Sequence, residues 1–210
     1  MKPTIQLYLA STSPRRQALL EQLGLVFDVV SIDIDESKLT SELPMDYVQR
    51  LALNKAREGW GHVQRSLDIP VLGSDTAVVL DGKILGKPRD LECATQMLSR
   101  LSGQCHQVMT AIALKYNDRE AVCTQISQVS FRAMKEHEIK DYCQTGEPEG
   151  KAGGYAIQGL AAQFIQHLEG SYSGVMGLPL FETAELLTQF GVKIMSDNRP
   201  CTDYKNKPEK

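Results

Sequence analysis

The residues best suited to chemistry lie in four short segments rich in Lys, Arg, carboxylates and glycine. The first, Ser11-Thr12-Ser13-Pro14-Arg15-Arg16, joins a predicted strand to a predicted helix, where free backbone N–H groups and the helix dipole attract anions. Cations are disfavoured in a first helical turn, yet Arg15 and Arg16 both lie there, and guanidinium groups match phosphate oxygens in two-point contacts. Two interpretations stay open for this segment alone: a phosphate site, or an ordinary capped helix with two solvated arginines.

The second segment, Gly73-Ser74-Asp75-Thr76, interrupts an apolar stretch that reads as a buried strand over residues 71–80. A carboxylate there loses its hydration, so Asp75 must be paired, coordinated or used in chemistry. The alternative is a satisfied structural Asp at a bulge marked by Gly73. The functional interpretation is favoured because carboxylates rarely enter interior strands unpaired.

The third segment, Gly86-Lys87-Pro88-Arg89-Asp90, follows the strongest hairpin signal in the chain, Asp81-Gly82. That turn folds the chain back, so the two cations of the segment could face Asp75. Taken alone, the segment is better interpreted as a surface loop that ends in a helix N-cap. Lys55, on a predicted helix, would on its own be interpreted as solvated.

Two further groups of residues could supply oxygen ligands and an amide. Asp33, Asp35 and Glu36 could hold Mg²⁺ through hard oxygen ligands, and a polar strand end explains them nearly as well. The fourth segment, residues 151–159, has glycines that allow close backbone approach to a ligand, and the Gln158 amide could hydrogen-bond a base edge. Together, the segments indicate phosphate chemistry assisted by a divalent metal.

The composition narrows the class of protein. A formal net charge of −3 over 210 residues argues against a general nucleic-acid or membrane-surface binder. The five cysteines form no C-x-x-C pair, so reduced thiols in a cytoplasmic protein are expected. The chain has no run of about 20 apolar residues, which a membrane helix needs.

The elements that must position these segments alternate between strands and helices. Strands are predicted over residues 5–10, 27–34, 71–80, 83–85, 107–115, 123–132 and 164–168. Helices are predicted from Pro14, behind Ser13 as N-cap, and over about 44–59, 90–103, 135–144 and 179–190. Hairpins mixed with βα units predict an α/β fold with a mixed sheet. One domain over residues 1–195 and a polar C-terminal tail over 196–210 are expected.

Four stretches of the chain resemble the Maf family of nucleoside triphosphate pyrophosphatases: LASTSPRRQALL, GSDTAVVLDGKILGKPRD, LSGQCHQVMTAIAL and KAGGYAIQGLAAQFI. In order and spacing the resemblance runs from Leu9 to Phe190. It implies an elongated mixed sheet flanked by helices, with two lobes around a central cleft, similar to the inosine triphosphatases. It also implies hydrolysis of a nucleoside triphosphate to the monophosphate and pyrophosphate.

The resemblance further implies roles for individual residues. Asp75 matches the proton acceptor, and Glu36 matches a metal-site carboxylate that would hold Mg²⁺ or Mn²⁺ with the help of Asp75. The phosphate-facing set corresponds to Ser11, Arg15, Arg16, Lys55 and Lys87. We expect Asp75 to stay ionised among these cations, so that it orients water more than it acts as a strong base.

Three positions associated with substrate choice in the family are Arg15, Thr76 and Gln158 here, and this combination resembles the subgroup acting on dTTP and UTP. The alternatives are a 7-methyl-GTP pyrophosphatase, which differs at the position of Arg15, a non-catalytic nucleotide-binding regulator of septum formation, and a nonspecific phosphatase. The expected partner is a nucleoside triphosphate, including modified pyrimidine nucleotides, with no nucleic acid and no membrane. A homodimer is left open.

Overall fold

The computed structural model describes residues 5–63 and 68–194, so the predicted boundary at residue 195 and the polar tail lie outside it. The strands are β1 (Leu7–Leu9), β2 (Phe27–Val29), β3 (Val71–Leu80), β4 (Lys83–Leu85), β5 (Cys105–Tyr116), β6 (Arg119–Phe131) and β7 (Ile165–Glu169). The helices are α1 (Pro14–Gln22), α2 (Pro44–His62), α3 (Leu91–Leu101), α4 (Glu136–Gln144), α5 (Tyr172–Met176) and α6 (Leu180–Gln189). Short 3-10 turns cover Ala152–Gly154 and Leu160–Phe164.

Within the described ranges, the seven strands form one mixed sheet: six follow the order β2-β1-β3-β5-β6-β7, and β4 pairs with β3 beside this path. β1 runs parallel to β2 and β3, whereas β3, β5, β6 and β7 pair antiparallel in turn. The expected α/β fold with a mixed sheet is therefore confirmed. Short turns join β3 to β4 and β5 to β6, whereas longer connections that contain helices join β4 to β5 and β6 to β7.

Strand β3 has two different neighbours along one of its edges. β1 pairs with its first two residues, Val71 and Leu72, and β4 pairs with residues 78–80 through the predicted Asp81-Gly82 turn. Among the described strands, none pairs with residues 73–77 on this edge, although β5 pairs with them on the other edge. The middle of β3, which contains Asp75, therefore faces a gap in the sheet.

The two faces of β3 contact different helices because side chains alternate along a strand. On one face, α2 packs its residues Val48, Ala52 and Ala56 against Ala77 and Val79. On the other face, two apolar clusters form at opposite ends of the strand. Leu72 packs in the cluster that includes α1 and α6, and Val78 packs in the cluster that includes α3 and α4. The polar residues between them, Ser74 and Thr76, separate the two clusters.

The sequence-based boundaries were wrong in two places that matter for the site. β2 ends at Val29 and not at residue 34, because its partner β1 ends at Leu9, which pairs with Val29. Helix α5, a short helix of small and polar residues without apolar periodicity, was not predicted. No described helix has the length and apolar run needed to cross a bilayer.

Gly73 marks a close approach of α2 to β3, and the predicted alternative of a bulge there is wrong, because the β3–β5 register continues through it. A Cβ at Gly73 would lie 2.2 Å from the Ala52 carbonyl oxygen and 2.6 Å from the Ala56 amide nitrogen. Both contact atoms belong to helix backbone, which cannot rotate away. Glycine at this position therefore lets α2 lie close enough to β3 for Lys55 to reach the strand.

We predict that Gly73→Ala lowers the free energy of unfolding by about 1–3 kcal/mol, because overpacking forces backbone shifts. Urea denaturation with an unchanged m-value measures this loss. The matched control is Gly61→Ala in α2, the helix that packs against Gly73. A Cβ at Gly61 has no neighbour within 4 Å, so this change should leave stability equal or raise it by up to about 1 kcal/mol. Equal stability of the two variants would contradict the close-approach explanation.

Candidate active site

One pocket of about 410 Å³ opens at the gap beside β3, and all the predicted site residues line it. They are Ser11, Arg15, Arg16, Glu36, Lys55, Asp75, Thr76, Lys87 and Gln158. Consecutive strand residues point to opposite faces, yet Asp75 and Thr76 both line this pocket. The gap in the strand edge explains this, because the pocket reaches both faces of the sheet there.

Lys55 lies between two carboxylates. Its Nζ is 2.7 Å from Asp75 Oδ1 and 2.6 Å from Glu36 Oε1. Lys55 and Asp75 are only 7% and 6% exposed, so their charges compensate each other in a place that would tolerate neither alone. The interpretation of Lys55 as a solvated helix residue is therefore wrong.

Lys87 extends this chain of charges, with its Nζ 3.0 Å from Glu36 Oε2. Lys87 could face Asp75 by the sequence pattern; both line the same pocket, and the hydrogen bond of Lys87 goes to Glu36. Arg89 does not line the pocket. Asp35 is also absent from the lining and accepts a hydrogen bond from the Ser37 amide. Because β2 ends early, the acidic run continues as a loop that brings only Glu36 to the pocket.

The pKa values of the two carboxylates move in opposite directions. Burial alone would raise the pKa of Glu36, but hydrogen bonds and charges from Lys55 and Lys87 outweigh it and lower the pKa to about 2. For Asp75, burial raises the pKa above its ordinary value, and the opposing effects of Lys55 and Arg16 do not cancel it. The expectation that Asp75 stays ionised among these cations stays a prediction, and its raised pKa makes Asp75 a stronger base than an exposed aspartate.

The two arginines of α1 differ in how firmly they are held. Arg16 donates from Nε to the Gly177 carbonyl (2.8 Å), from Nη1 to Ser11 Oγ (3.2 Å) and from Nη2 to Thr76 Oγ1 (3.3 Å). Two of its five N–H groups remain for a ligand. Arg15 makes no hydrogen bond or ion pair with the described residues while lining the same pocket.

The start of α1 leaves donors free for an anion. Ser13 occupies the N-cap position as predicted, but its side chain makes no capping hydrogen bond. The Ser13 amide itself donates to Ser11 Oγ (3.3 Å). The uncapped first turn of α1 therefore keeps backbone N–H groups and the positive end of the helix dipole available beside Arg15.

Another wall of the pocket is the glycine-rich loop that carries Gln158. Gly153 adopts a φ of +68° and donates from its amide to the Gly86 carbonyl (3.0 Å), which joins the loop to the segment of Lys87. Glu147 fixes the far end by accepting from the Leu160 and Ala161 amides. The Gln158 side chain is exposed and makes no hydrogen bond with the described residues, so its amide is available to a ligand.

Sequence reasoning missed several residues of the site. Lys151 also lines the pocket, and burial together with nearby Arg15 lowers its pKa. Gly177, from the turn after α5, lines the pocket too, and its carbonyl accepts from both Arg16 and Ser74. Lys151 stood inside the glycine-rich segment and could have been noticed as a further cation. No periodic signal marks Gly177.

A divalent metal fits the donor set at Glu36 and Asp75. No group of three or more His, Cys, Asp or Glu side chains suited to a metal exists among residues 5–63 and 68–194. Two carboxylates that meet at one Lys55 ammonium nevertheless match Mg²⁺ sites in which one or two carboxylates combine with substrate phosphate oxygens and water. These residues therefore fit a metal that arrives with a phosphorylated ligand.

Two curated relatives that match most of the chain have the same name. A dTTP/UTP pyrophosphatase of Pseudoalteromonas translucida is 51% identical over 189 residues, covering 89% of this chain and 98% of that protein. A dTTP/UTP pyrophosphatase of Alkalilimnicola ehrlichii is 51% identical over 189 residues, covering 89% and 93%. The Ham1 protein of Staphylococcus aureus is 14% identical, with a TM-score of 0.43 over 60% of this chain and 71% of that one, too low a similarity to support an argument.

The family model described as Maf-like protein matches residues 6–190. That range holds every predicted site residue and all the described strands and helices. The chain therefore belongs to the Maf-like protein family.

Proposed function

We propose that this chain is a nucleoside triphosphate pyrophosphatase that hydrolyses dTTP and UTP to the nucleoside monophosphate and pyrophosphate. The observation that carries the proposal is a buried carboxylate, Asp75, held by Lys55 in a pocket lined by arginines and lysines. Relatives that are 51% identical over most of the chain carry this activity in their names. A pure binding site for an anion would gain nothing from a buried carboxylate.

Asp75 acts as the proton acceptor in the proposed reaction. Lys55 donates to Oδ1 and fixes the carboxylate, while Oδ2 has no partner among the described residues. A water molecule bound to Oδ2 would be oriented and would lose its proton to a base that burial has strengthened.

The basic residues stabilise the charge that builds on the phosphates and on the departing pyrophosphate. Arg16 is held in place by three hydrogen bonds and offers its remaining N–H groups, so it needs little reorganisation in the reaction. Arg15 and Lys87 line the same pocket and add positive charge. Ser11 contributes by accepting hydrogen bonds from Arg16 and from the Ser13 amide, which fixes the turn that leads into α1.

Glu36 and Asp75 would hold Mg²⁺ or Mn²⁺ together with the substrate. When bound, the metal supplies further neutralisation of the triphosphate charge. Glu36 is suited to this role because its low pKa keeps it ionised at every working pH. Lys55 keeps the two carboxylates near each other before the substrate arrives.

Gln158 is proposed to recognise the base. Its amide can donate to the O4 carbonyl of thymine or uracil and accept from N3–H, whereas cytosine presents an amino group in place of O4. A substituent at C5 of the ring leaves these groups unchanged, so modified uridine triphosphates are also proposed substrates. A cytoplasmic location stays a prediction, and a homodimer stays open.

We predict that the protein with Mg²⁺ or Mn²⁺ releases pyrophosphate and monophosphate from dTTP and UTP, with activity lost in chelator and restored by metal. A panel of dTTP, UTP, CTP, GTP and 7-methyl-GTP, with products separated by chromatography, measures this. Orthophosphate as the sole early product would indicate a phosphatase. Preference for 7-methyl-GTP would change the subgroup, and no turnover on any triphosphate would favour a regulator.

We predict that Asp75→Asn lowers kcat by about 100-fold or more, as expected when a general base is removed from a nearly isosteric side chain. Asp81→Asn is the matched control. Asp81 lies in the turn at the end of the same strand with a φ of +50°, which Asn also tolerates. The activity of the Asp81→Asn variant should equal that of the wild type. Near wild-type turnover in Asp75→Asn would show that another group accepts the proton.

We predict that Gln158→Glu lowers kcat/KM for dTTP and UTP by about tenfold or more, because a carboxylate cannot donate to O4. The affinity for inorganic pyrophosphate should fall much less. Gln104→Glu, at an exposed position that does not line the pocket, is the control for the added charge. Equal losses for all five nucleotides would argue against base recognition by Gln158.

A further inference from the structure

Two threonine hydroxyls connect Arg16 to the backbone of helix α5. Arg16 Nη2 lies 3.3 Å from Thr76 Oγ1, which lies 2.9 Å from Thr110 Oγ1. Thr110 Oγ1 in turn lies 2.7 Å from the Gly174 carbonyl oxygen. Thr76 and Thr110 are directly opposite each other on β3 and β5, so their side chains share one face of the sheet.

The direction of every hydrogen bond in this chain is fixed by chemistry. The Gly174 carbonyl can only accept, so Thr110 donates its single hydroxyl hydrogen to it. The Thr110 oxygen must then accept a hydrogen bond from Thr76, which donates its own hydroxyl hydrogen to that oxygen. The Arg16 guanidinium can only donate, and Thr76 has a lone pair left for it. The order is Arg16 to Thr76 to Thr110 to Gly174, and reversing one bond would break another.

The surroundings of Thr110 support a specific use for its hydroxyl. Thr110 is fully buried, does not line the pocket, and stands between Val108 and Ile112 on its face of β5. A buried hydroxyl in such a place is costly unless its hydrogen bonds are satisfied. One of its bonds leads to Thr76, which accepts from Arg16, and the other anchors the Thr110 hydroxyl to α5.

Helix α5 is itself fixed and holds Arg16 at a second point. The Ser171 amide donates to Ser127 Oγ on β6 (2.9 Å), and the turn after the helix places the Gly177 carbonyl on Arg16 Nε. Arg16 thus contacts the residue that follows α5 directly through Nε, and it is connected to α5 itself through the two threonines.

We propose that Thr110 is a positioning residue for Arg16, acting through the hydroxyl of Thr76. This inference rests on the proposed function, in which Arg16 faces the phosphates. It also assigns a role to Thr76: since its hydrogen is committed to Thr110, Thr76 offers a nucleotide only an acceptor and influences the substrate chiefly through the orientation of Arg16.

The test compares Thr110→Val, which removes the hydroxyl at nearly constant volume, with Thr110→Ser, which keeps it. We expect Thr110→Val to lower kcat/KM for dTTP about tenfold and to raise the dissociation constant of inorganic pyrophosphate by about three- to tenfold, as for loss of support to a charged hydrogen bond. Calorimetric titration with pyrophosphate measures the second quantity without turnover. Thr110→Ser should stay within about twofold of the wild type.

Thr183→Val is the matched control. Thr183 is fully buried and donates to the Pro179 carbonyl (2.6 Å), but it does not line the pocket. The Thr183→Val variant should be less stable than the wild type and should bind pyrophosphate with the same affinity. Should Thr110→Val lose its cooperative unfolding transition, Thr110→Ala removes the same hydroxyl and carries the same comparison.

A double-mutant cycle separates positioning from packing. In a Thr76→Val background, Thr110→Val should change pyrophosphate affinity and kcat/KM by less than about twofold, because the connection is already broken. Additive losses, or equal losses in Thr110→Val and Thr183→Val, would overturn the inference. A wild-type protein that neither binds pyrophosphate nor hydrolyses a triphosphate would overturn the proposed function and the inference with it.

Discussion

The buried ion pair between Lys55 and Asp75 sets the geometry of the pocket, because neither charge could stay buried there without the other. The pair can form only because Gly73 lets the backbone of α2 approach β3. The same Lys55 reaches Glu36, and Glu36 reaches Lys87, so the close approach at one glycine organises α2, β3 and the two loops that carry Glu36 and Lys87. The packing of α2 on β3 thus determines where the charged groups of the site lie.

The second organising feature is the gap along one edge of β3. A continuous neighbouring strand would have closed this edge, and no single pocket could then have reached both faces of the sheet. Because β1 stops below it and β4 begins above it, the pocket receives Asp75 from one face and Thr76 from the other. The base and the support of Arg16 thereby come from adjacent residues of one strand.

Much of this arrangement could be predicted from the sequence. The apolar run around Asp75, the Asp81-Gly82 turn and the paired arginines each carry a local signal, so β3, the hairpin and α1 were predicted correctly. Charge partners could not be predicted in this way, since Lys87 bonds Glu36 only because β2 ends early. The direction of the Asp75 pKa depends on burial in three dimensions, and the turn at Gly177 has no periodic signal at all.

The charges of the pocket differ from those of the chain as a whole. Of the described residues that line it, five are basic and two are acidic, whereas the chain has a formal net charge of −3. A positive cleft in an acidic protein focuses its electric field at the opening and steers anions toward it before any contact forms. The Debye length shrinks from about 10 Å at 0.1 M salt to about 3 Å at 1 M. Capture of an anionic ligand by this pocket should therefore slow as ionic strength rises, and release of an anionic product should become easier.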